Sequence, residues 1–343
     1  MEVKTEPRVY VVIVNWNGWA DTIECLESVF RQHYMNFQVV ICDNDSADHS
    51  LARIRAWADG ELNVQPAISN PLQRLSWPPV PKPIPRVEYD RAYAEAGGLR
   101  RGPEPKLVLV ETGANLGFAG GNNVGLRYAL KQDDAAYVWL LNNDTVVDQE
   151  ALAAAVLVAE RDDSIGMVGA KLLFYDRPGT IQAVAGGKII PWQGMIRLLG
   201  REEEDRGQWS DTVTPDYITG ASLLVKADVV RTIGLLDEQY FMYAEELDWC
   251  LRARKASWRL IYSPGSSIWH KEGKSVRYRS PLHDFYAVRS TLLWVKKFYP
   301  RFLPAAFLYS LYRGVLPKII RFQPARLAAV LRAYRSFFFG AAA

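Results

Sequence analysis

Residues 9–18 read VYVVIVNWNG, and residues 37–46 read FQVVICDNDS. The first is an unbroken apolar run and the second is apolar but for Gln38, and each stops abruptly at Asn or Asp. A strand with one wet face would alternate polar and apolar residues. These runs do not alternate, so they predict strands buried on both faces, as in a parallel sheet covered by helices. Between them Ile23, Leu26, Val29 and Phe30 recur at helical spacing, with Asp21 as expected N-cap and Glu24 three residues on. Working outward, Lys106–Val110 and Tyr137–Leu141 supply a third and a fourth strand. An Ala-rich helix falls between those two, and another covers Gln149–Arg161. Strands alternating with helices predict an α/β fold with a mostly parallel, doubly wound central sheet.

Residues 66–105 interrupt the alternation. They hold nine of the 19 prolines, including PPVPKPIP at 78–85. Proline at that density breaks regular structure, so the segment reads as an inserted, partly extended loop. Beyond residue 165 strand-like pieces at Met167–Phe174, Gly187–Ile190 and Ile218–Val225 surround a polar loop at 201–216. A helix opens near Ala244 and runs through EELDWCLRARKA. Trp258–Tyr262 is a further strand, and Ser267–His270 leads into a Gly- and Lys-rich loop.

The chain has 343 residues, 49% of them hydrophobic and 23% charged, which excludes a disordered or fibrous protein. Cys25, Cys42 and Cys250 lie far apart among apolar residues, without metal-ligand spacing, and read as buried free thiols of a reducing compartment. The first residues, MEVKTEPRVY, lack the apolar core of a signal peptide, and Phe302–Tyr312 is too short to span a bilayer. A protein on the cytoplasmic side of a membrane is expected.

Net charge is +3, but no Asp or Glu follows Asp284, and that tail carries ten Lys and Arg. A basic, aromatic-rich tail on an acidic body suggests an anionic surface as partner. On a helix over 325–339, Leu327, Val330, Leu331, Tyr334, Phe337 and Phe338 share one third of the circle, and Arg326, Arg332 and Arg335 lie outside it. That pattern predicts an amphipathic helix lying in a membrane surface. Nucleic acid is not the expected partner, because the aromatics are not interleaved with the basic residues. The chain therefore divides into a 1–282 α/β unit and a 283–343 basic helical region.

In open parallel sheets, ligands bind at the carboxyl ends of strands. Here those ends read Asn15-Trp16-Asn17-Gly18, Asp43-Asn44-Asp45-Ser46 and Asn142-Asn143-Asp144-Thr145, and the third strand is followed by Asn115-Leu116-Gly117-Phe118-Ala119-Gly120-Gly121-Asn122-Asn123. Glycines 117, 120 and 121 would let backbone N–H groups at a helix start approach a phosphate. The acids Glu245, Glu246 and Asp248 open a helix, and His270 stands alone at a strand end.

In order, VIVNWNG, VVICDNDSADHS, NLGFAGGNNVGL, WLLNNDTVV, YFMYAEELDWCLR and WHKEGKS resemble family 2 inverting glycosyltransferases of the GT-A fold, most like the bacterial rhamnosyltransferase-like branch. The resemblance covers about residues 8–295 and omits the Pro-rich insertion and the last 40 residues. It implies a nucleotide-diphospho-sugar donor whose nucleobase meets Asn15 and Asp43. It places Asn17, Asn115, Gly117, Gly120, Asn122 and Asn143 along the donor, with Arg289 nearby. It makes Asp144 and His270 ligands of a divalent cation, Mn²⁺ or Mg²⁺. It makes Glu246 the base, with Glu245 and Asp248 raising its pKa. The implied acceptor is a polyprenyl-diphosphate-linked or polysaccharide glycan, and the implied donor dTDP-rhamnose. Two positions depart from the family: Asn142 replaces the first acid of the metal motif, and Glu246 stands where Asp is commoner.

Three rivals make distinguishable demands. A NAD-dependent oxidoreductase needs GxGxxG where NWNG stands. Nucleotidyl transfer needs a Gly-rich, basic loop after the first strand. A non-catalytic sugar-nucleotide or membrane-surface binding protein is compatible with Asn142, but it leaves Asp144, Glu246 and His270 without a purpose.

Overall fold

The computed structural model describes residues 6–98, 104–271 and 280–340. The first apolar run forms β1 (Arg8–Asn15), followed by α1 (Trp19–Val29), β2 (Phe37–Asp43) and α2 (Ser50–Asp59). The helix starts two residues before the expected cap. Gly18 occupies the N-cap and no side chain caps it, so Asp21 lies in the first turn instead. The Pro-rich segment is not a passive loop. It supplies β3 (Arg86–Asp90), which pairs in parallel with β4 (Leu107–Glu111), and the short α3 (Arg91–Glu95). Then follow α4 (Gly117–Leu130), β5 (Ala135–Leu141), β6 (Thr145–Val147), α5 (Ala151–Ala159) and β7 (Ile165–Phe174).

The second half adds β8 (Ile181–Val184), β9 (Gly186–Ile190), β10 (Met195–Leu198), β11 (Tyr217–Ile218) and β12 (Ser222–Lys226). After these come α6 (Ala227–Ile233), α7 (Glu245–Lys255) and β13 (Arg259–His270). The single strand expected over Ile218–Val225 is thus split by a turn. The two pieces expected near 258–270 are one strand with a register break between Tyr262 and Ser267. The main sheet runs β3-β4-β2-β1-β5-β12-β7-β13-β6, and β9 to β11 form a small separate sheet. Strands β1 to β5 are parallel, and β12 enters antiparallel between β5 and β7. That reversal sets the turn before β12 beside the carboxyl end of β5, where Asn142 N–H donates to the Ala221 carbonyl (3.1 Å).

Both faces of the sheet are covered, as the continuous apolar runs require. Val9, Val11 and Ile13 pack with α1, α2 and α5, and Tyr10 and Val12 pack with α4, α6 and α7 on the other side. All three cysteines are buried and free, and burial pushes their thiols up to about 12.

The chain continues in α8 (Pro281–Phe298), α9 (Leu303–Ser310), a π-helical turn at Leu311–Val315, α10 (Leu316–Ile320) and α11 (Pro324–Phe339). The apolar stripe expected to face lipid on α11 is divided: Val330 and Tyr334 turn inward, while Leu331 and Phe338 stay exposed. Ala329, Val330, Ala333 and Tyr334 are buried against Phe285 and Leu292 of α8. Arg326, placed by the helical wheel outside the stripe, pairs with buried Asp284 (2.6 Å). Among the described residues no helix is long and apolar enough to cross a membrane.

Candidate active site

The carboxyl ends of β1, β2 and β5 meet in one hydrogen-bonded cluster. Asn15 is fully buried, and its amide donates to Asp43 Oδ1 (2.6 Å) and Ser46 Oγ (3.0 Å). Its Oδ1 accepts from Thr22 (2.8 Å) and from Asn143 (3.4 Å). Asp43 also accepts from the Ser46 hydroxyl (2.7 Å) and the Ser46 N–H (3.1 Å). Asn17 holds the loop after β2 through the Ala47 N–H (2.8 Å). The structure therefore brings Asn15, Asn17, Asp43 and Asn143 together.

Asp144 and His270 come together because β6 pairs antiparallel with β13, opposing Thr145 to His270. His270 Nε2 is 3.1 Å from Asp144 Oδ1. Burial by itself would raise the Asp144 carboxyl, but His270 and Lys271 outweigh it and hold it below the ordinary range. The other imidazole nitrogen, Nδ1, lies 2.9 Å from Gln182 Oε1. A carbonyl oxygen can only accept, so Nδ1 donates to Gln182, and that contact aims Nε2 at Asp144. Lys271 is salt-bridged to Asp21 and Glu24 of α1, and its N–H donates to the Asp144 carbonyl (3.0 Å). Asp21 and Glu24 thus brace this strand end instead of capping α1.

Asn142 Nδ2 lies 3.3 Å from His270 Nε2, and Asn142 Oδ1 is buried without a partner. One carboxylate, one imidazole nitrogen and an unclaimed amide oxygen suit Mn²⁺ or Mg²⁺ with positions left for phosphate oxygens. Among the described residues no group of three His, Cys, Asp or Glu forms a complete site.

The acidic pair arrives on a distorted backbone. Tyr243 and Ala244 both have positive φ, 68° and 71°, a conformation costing roughly 1–2 kcal/mol per non-glycine residue. It delivers Glu245 and Glu246 at the start of α7 beside the turn before β12. Glu245 is buried; Glu246 is partly exposed, yet each keeps one sealed oxygen, Oε2, without a partner. Burial lifts the Glu246 carboxyl, against the N–H groups of Gly220 and Leu247. Burial and the charge of Glu246 lift Glu245 well above the usual range. Asp248 has a different job. It is fully buried and salt-bridged to Arg252 (2.6 Å) and to Lys297 of α8 (2.6 Å), so it ties helices together and does not raise Glu246.

The segment 115–123 works differently from the phosphate cradle read in its sequence. The Gly117 N–H donates to Asn115 Oδ1 (3.0 Å), and the Phe118 N–H donates to the Phe241 carbonyl (2.9 Å). The first amides of α4 are therefore already engaged. Gly117 has φ +71°, and a Cβ there would sit 2.3 Å from that same carbonyl, so its glycine locks α4 to the loop that carries the acids. Gly120 abuts Leu116, and buried Asn122 bonds the Phe118 carbonyl within its own helix (2.9 Å). Arg289 lies on α8, donating to the Gln239 carbonyl (2.8 Å) and Ser336 Oγ (3.2 Å), and so joins the acid-bearing loop to α11. The loop after His270, including Gly273 and Ser275, lies outside the described residues.

Gln182 and the turn at Thr219–Ala221 were not legible in sequence. Gln182 sits in an apolar strand with no motif around it, and its partner is 88 residues away. The Phe118 ring and the Glu246 Cβ both lie against Gly220, an adjacency only the antiparallel β12 creates.

The profile described as "Glycosyltransferase like family 2" matches residues 99–283, just over half of the chain. That described as "Glycosyl transferase family 2" matches residues 10–67. The chain is 25% identical over 188 residues to the N-acetylglucosaminyl-diphospho-decaprenol L-rhamnosyltransferase of Mycobacterium tuberculosis, covering 50% of this chain and 61% of that one. It is 29% identical over 168 residues to the rhamnosyltransferase WbbL of Escherichia coli K12, covering 46% and 62%. It thus spans less than two thirds of either relative's length. Among solved structures, the mannosyltransferase PcManGT of Pyrobaculum calidifontis, in complex with GDP-Man and Mn²⁺, superposes with a TM-score of 0.54 at 14% identity over 99% of this chain and 89% of that one. At that identity the likeness carries the fold.

Proposed function

The chain belongs to glycosyltransferase family 2 and has the GT-A fold, and from that premise we propose that it transfers a sugar, with inversion, from a nucleoside diphosphate to a hydroxyl of a lipid-linked or polysaccharide glycan. One observation carries the reading. Buried polar atoms are nearly always paired, yet Asn142 Oδ1, Gln182 Nε2, Thr219 Oγ1, Glu245 Oε2 and Glu246 Oε2 are not. They lie on the segments that converge at the carboxyl end of β5, where a bound donor and acceptor would supply the missing partners.

In this reading the acceptor hydroxyl oxygen bonds to the anomeric carbon as the bond from that carbon to the diphosphate oxygen breaks. The hydroxyl proton passes to Glu246, whose raised pKa suits it to accept a proton near neutral pH. Glu245, lifted well above the usual range by burial and by the charge of Glu246, keeps its proton beside that base, and Lys271 holds the Asp144 backbone in place. Asp144 and His270, with Asn142 Oδ1 beside them, would hold a divalent cation, which when bound would supply charge neutralisation for the departing diphosphate. Asn15, Asn17, Asp43, Asn115 and Asn143 form the donor side. The names of the relatives support L-rhamnose as the sugar and a polyprenyl-diphosphate-linked glycan as the acceptor, and dTDP-rhamnose as donor, in cell-surface polysaccharide synthesis, is what the sequence resemblance implies. The basic tail supports a peripheral position at the inner face of the plasma membrane.

Thermal shift with dTDP-rhamnose, UDP-glucose, UDP-N-acetylglucosamine and GDP-mannose, each with and without Mn²⁺, tests the donor and metal together. A metal-dependent shift with one donor is expected. No shift with any of them, in folded protein, turns the reading toward a non-catalytic surface-binding protein.

A further inference from the structure

The helical segment from α9 through α10 is apolar on two opposite sides. Its inner side, with Phe307, Leu311 and Val315, packs on Leu292 of α8 and on Val330 and Tyr334 of α11. Its outer side carries Leu308, Tyr312, Leu316, Ile319 and Ile320, at helical spacing across the π-helical turn, and ends in Phe322. These six are between 45% and 91% exposed. A helix apolar all round is normally buried all round, so the outer side lacks its partner.

Charge selects the partner. Of the ten basic residues after Asp284, Lys297 is paired with Asp237 and Asp248, Lys318 and Arg326 with Asp284, and Arg289 is bonded to Gln239 and Ser336. The other six, Lys296, Arg301, Arg313, Arg321, Arg332 and Arg335, face no acid within the tail itself, because none follows Asp284. Arg313 and Arg321 are exposed on the α9–α10 segment itself. A second copy of the chain, docked face to face, would set two such basic clusters against each other. An anionic lipid surface is complementary to both the charge and the apolar stripe.

We propose that the outer side of α9–α10 is the membrane-docking face, with its apolar residues among acyl chains and Arg313 and Arg321 at anionic headgroups. This deepens the membrane-side part of the reading above and does not depend on its chemistry. The face is rigidly coupled to the site. α8, which α9 and α11 grip from one side, holds the acid-bearing loop on the other through Ser290 Oγ to the Met242 carbonyl (3.0 Å) and Tyr286 stacked on Phe241 (5.0 Å). Docking therefore sets the loop leading to Glu246 at a fixed place relative to a membrane-borne acceptor.

Flotation of the full chain with phosphatidylcholine vesicles, with and without about one third phosphatidylglycerol, tests this. Binding is expected to the anionic vesicles and to fall at least tenfold in the triple variant Tyr312→Ser, Ile319→Ser, Ile320→Ser. Arg313→Gln and Arg321→Gln should each cost about fivefold. Their melting temperatures should match wild type, because these side chains are exposed. The proposal is overturned if the triple variant floats like wild type or if wild type binds neither vesicle. It is overturned equally if light scattering finds a dimer that the triple variant dissociates, which assigns the face to a second copy. Glu246→Gln should float like wild type, so a failure of the transfer chemistry leaves this outcome readable.

Discussion

The two sides of the sheet rim are built on opposite rules. At the ends of β1 and β2, Asn15, Asp43, Ser46, Thr22 and Asn143 bond to one another, and Asn15 is fully buried. Between the end of β5 and the start of α7, Asn142, Thr219, Glu245 and Glu246 keep sealed atoms without partners, on a backbone with two consecutive positive φ angles. The closed cluster has already gained its hydrogen bonds and so contributes stability and shape. The open one bears an uncompensated cost that folding alone does not explain, and buried orphans and strain of this kind gather where ligands and reacting atoms go.

Substitutions can break or sharpen that contrast. The largest effect is expected at Glu246→Gln. Transfer should fall about 10²–10⁴-fold with donor binding unchanged, and retention of more than a tenth of the rate would remove Glu246 as the base. Next, Gln182→Leu should weaken Mn²⁺ about 10–100-fold, read directly by electron paramagnetic resonance of the free ion, because the imidazole loses the acceptor that fixes its tautomer. If Mn²⁺ binds with wild-type affinity, the Gln182 contact is packing only.

On the closed side, Asp43→Ala should cost about 1–3 kcal/mol of stability, since it leaves one N–H of the Asn15 amide and the Ser46 N–H unpaired. A variant of wild-type stability that loses donor binding would put Asp43 in the open class. The smallest effect concerns pH. The Glu245 carboxyl is raised in the fold, so ionising it opposes folding: the penalty is absent below about pH 4, the ordinary glutamate range, and fully present above the raised pKa. Glu245→Gln should therefore melt a few degrees higher than wild type at pH 7 and with it at pH 4. Equal melting at both would mean that Glu245 is solvated.

The sheet was legible because strands buried on two faces must be largely apolar, and VYVVIV is so throughout and FQVVIC but for Gln38. The strand ends were legible because polar residues are otherwise absent from such runs. The edge strand β3 was not, since prolines before it mask a stretch, RVEYD, that is only half-buried. Nor was the job of Asp248, because an acid at a helix start reads the same whether it meets substrate or, as here, Arg252 and Lys297. The α11 stripe was legible as apolar, but not that Val330 and Tyr334 would pack on α8 while Leu331 and Phe338 stay exposed.

The sequence by itself determined which residues are apolar on which period, and hence the α/β class, the positions of its most buried strands and the chemistry available at their ends. It also determined that every charge after Asp284 is positive. Tertiary structure decided which polar residues satisfy each other and which remain open, and which of two apolar helix faces meets protein. Hydrogen bonding and burial are properties of pairs. Gln182 with His270, Gly220 with Glu246 and Asp284 with Arg326 become pairs only when an antiparallel strand or a folded-back helix brings distant segments together.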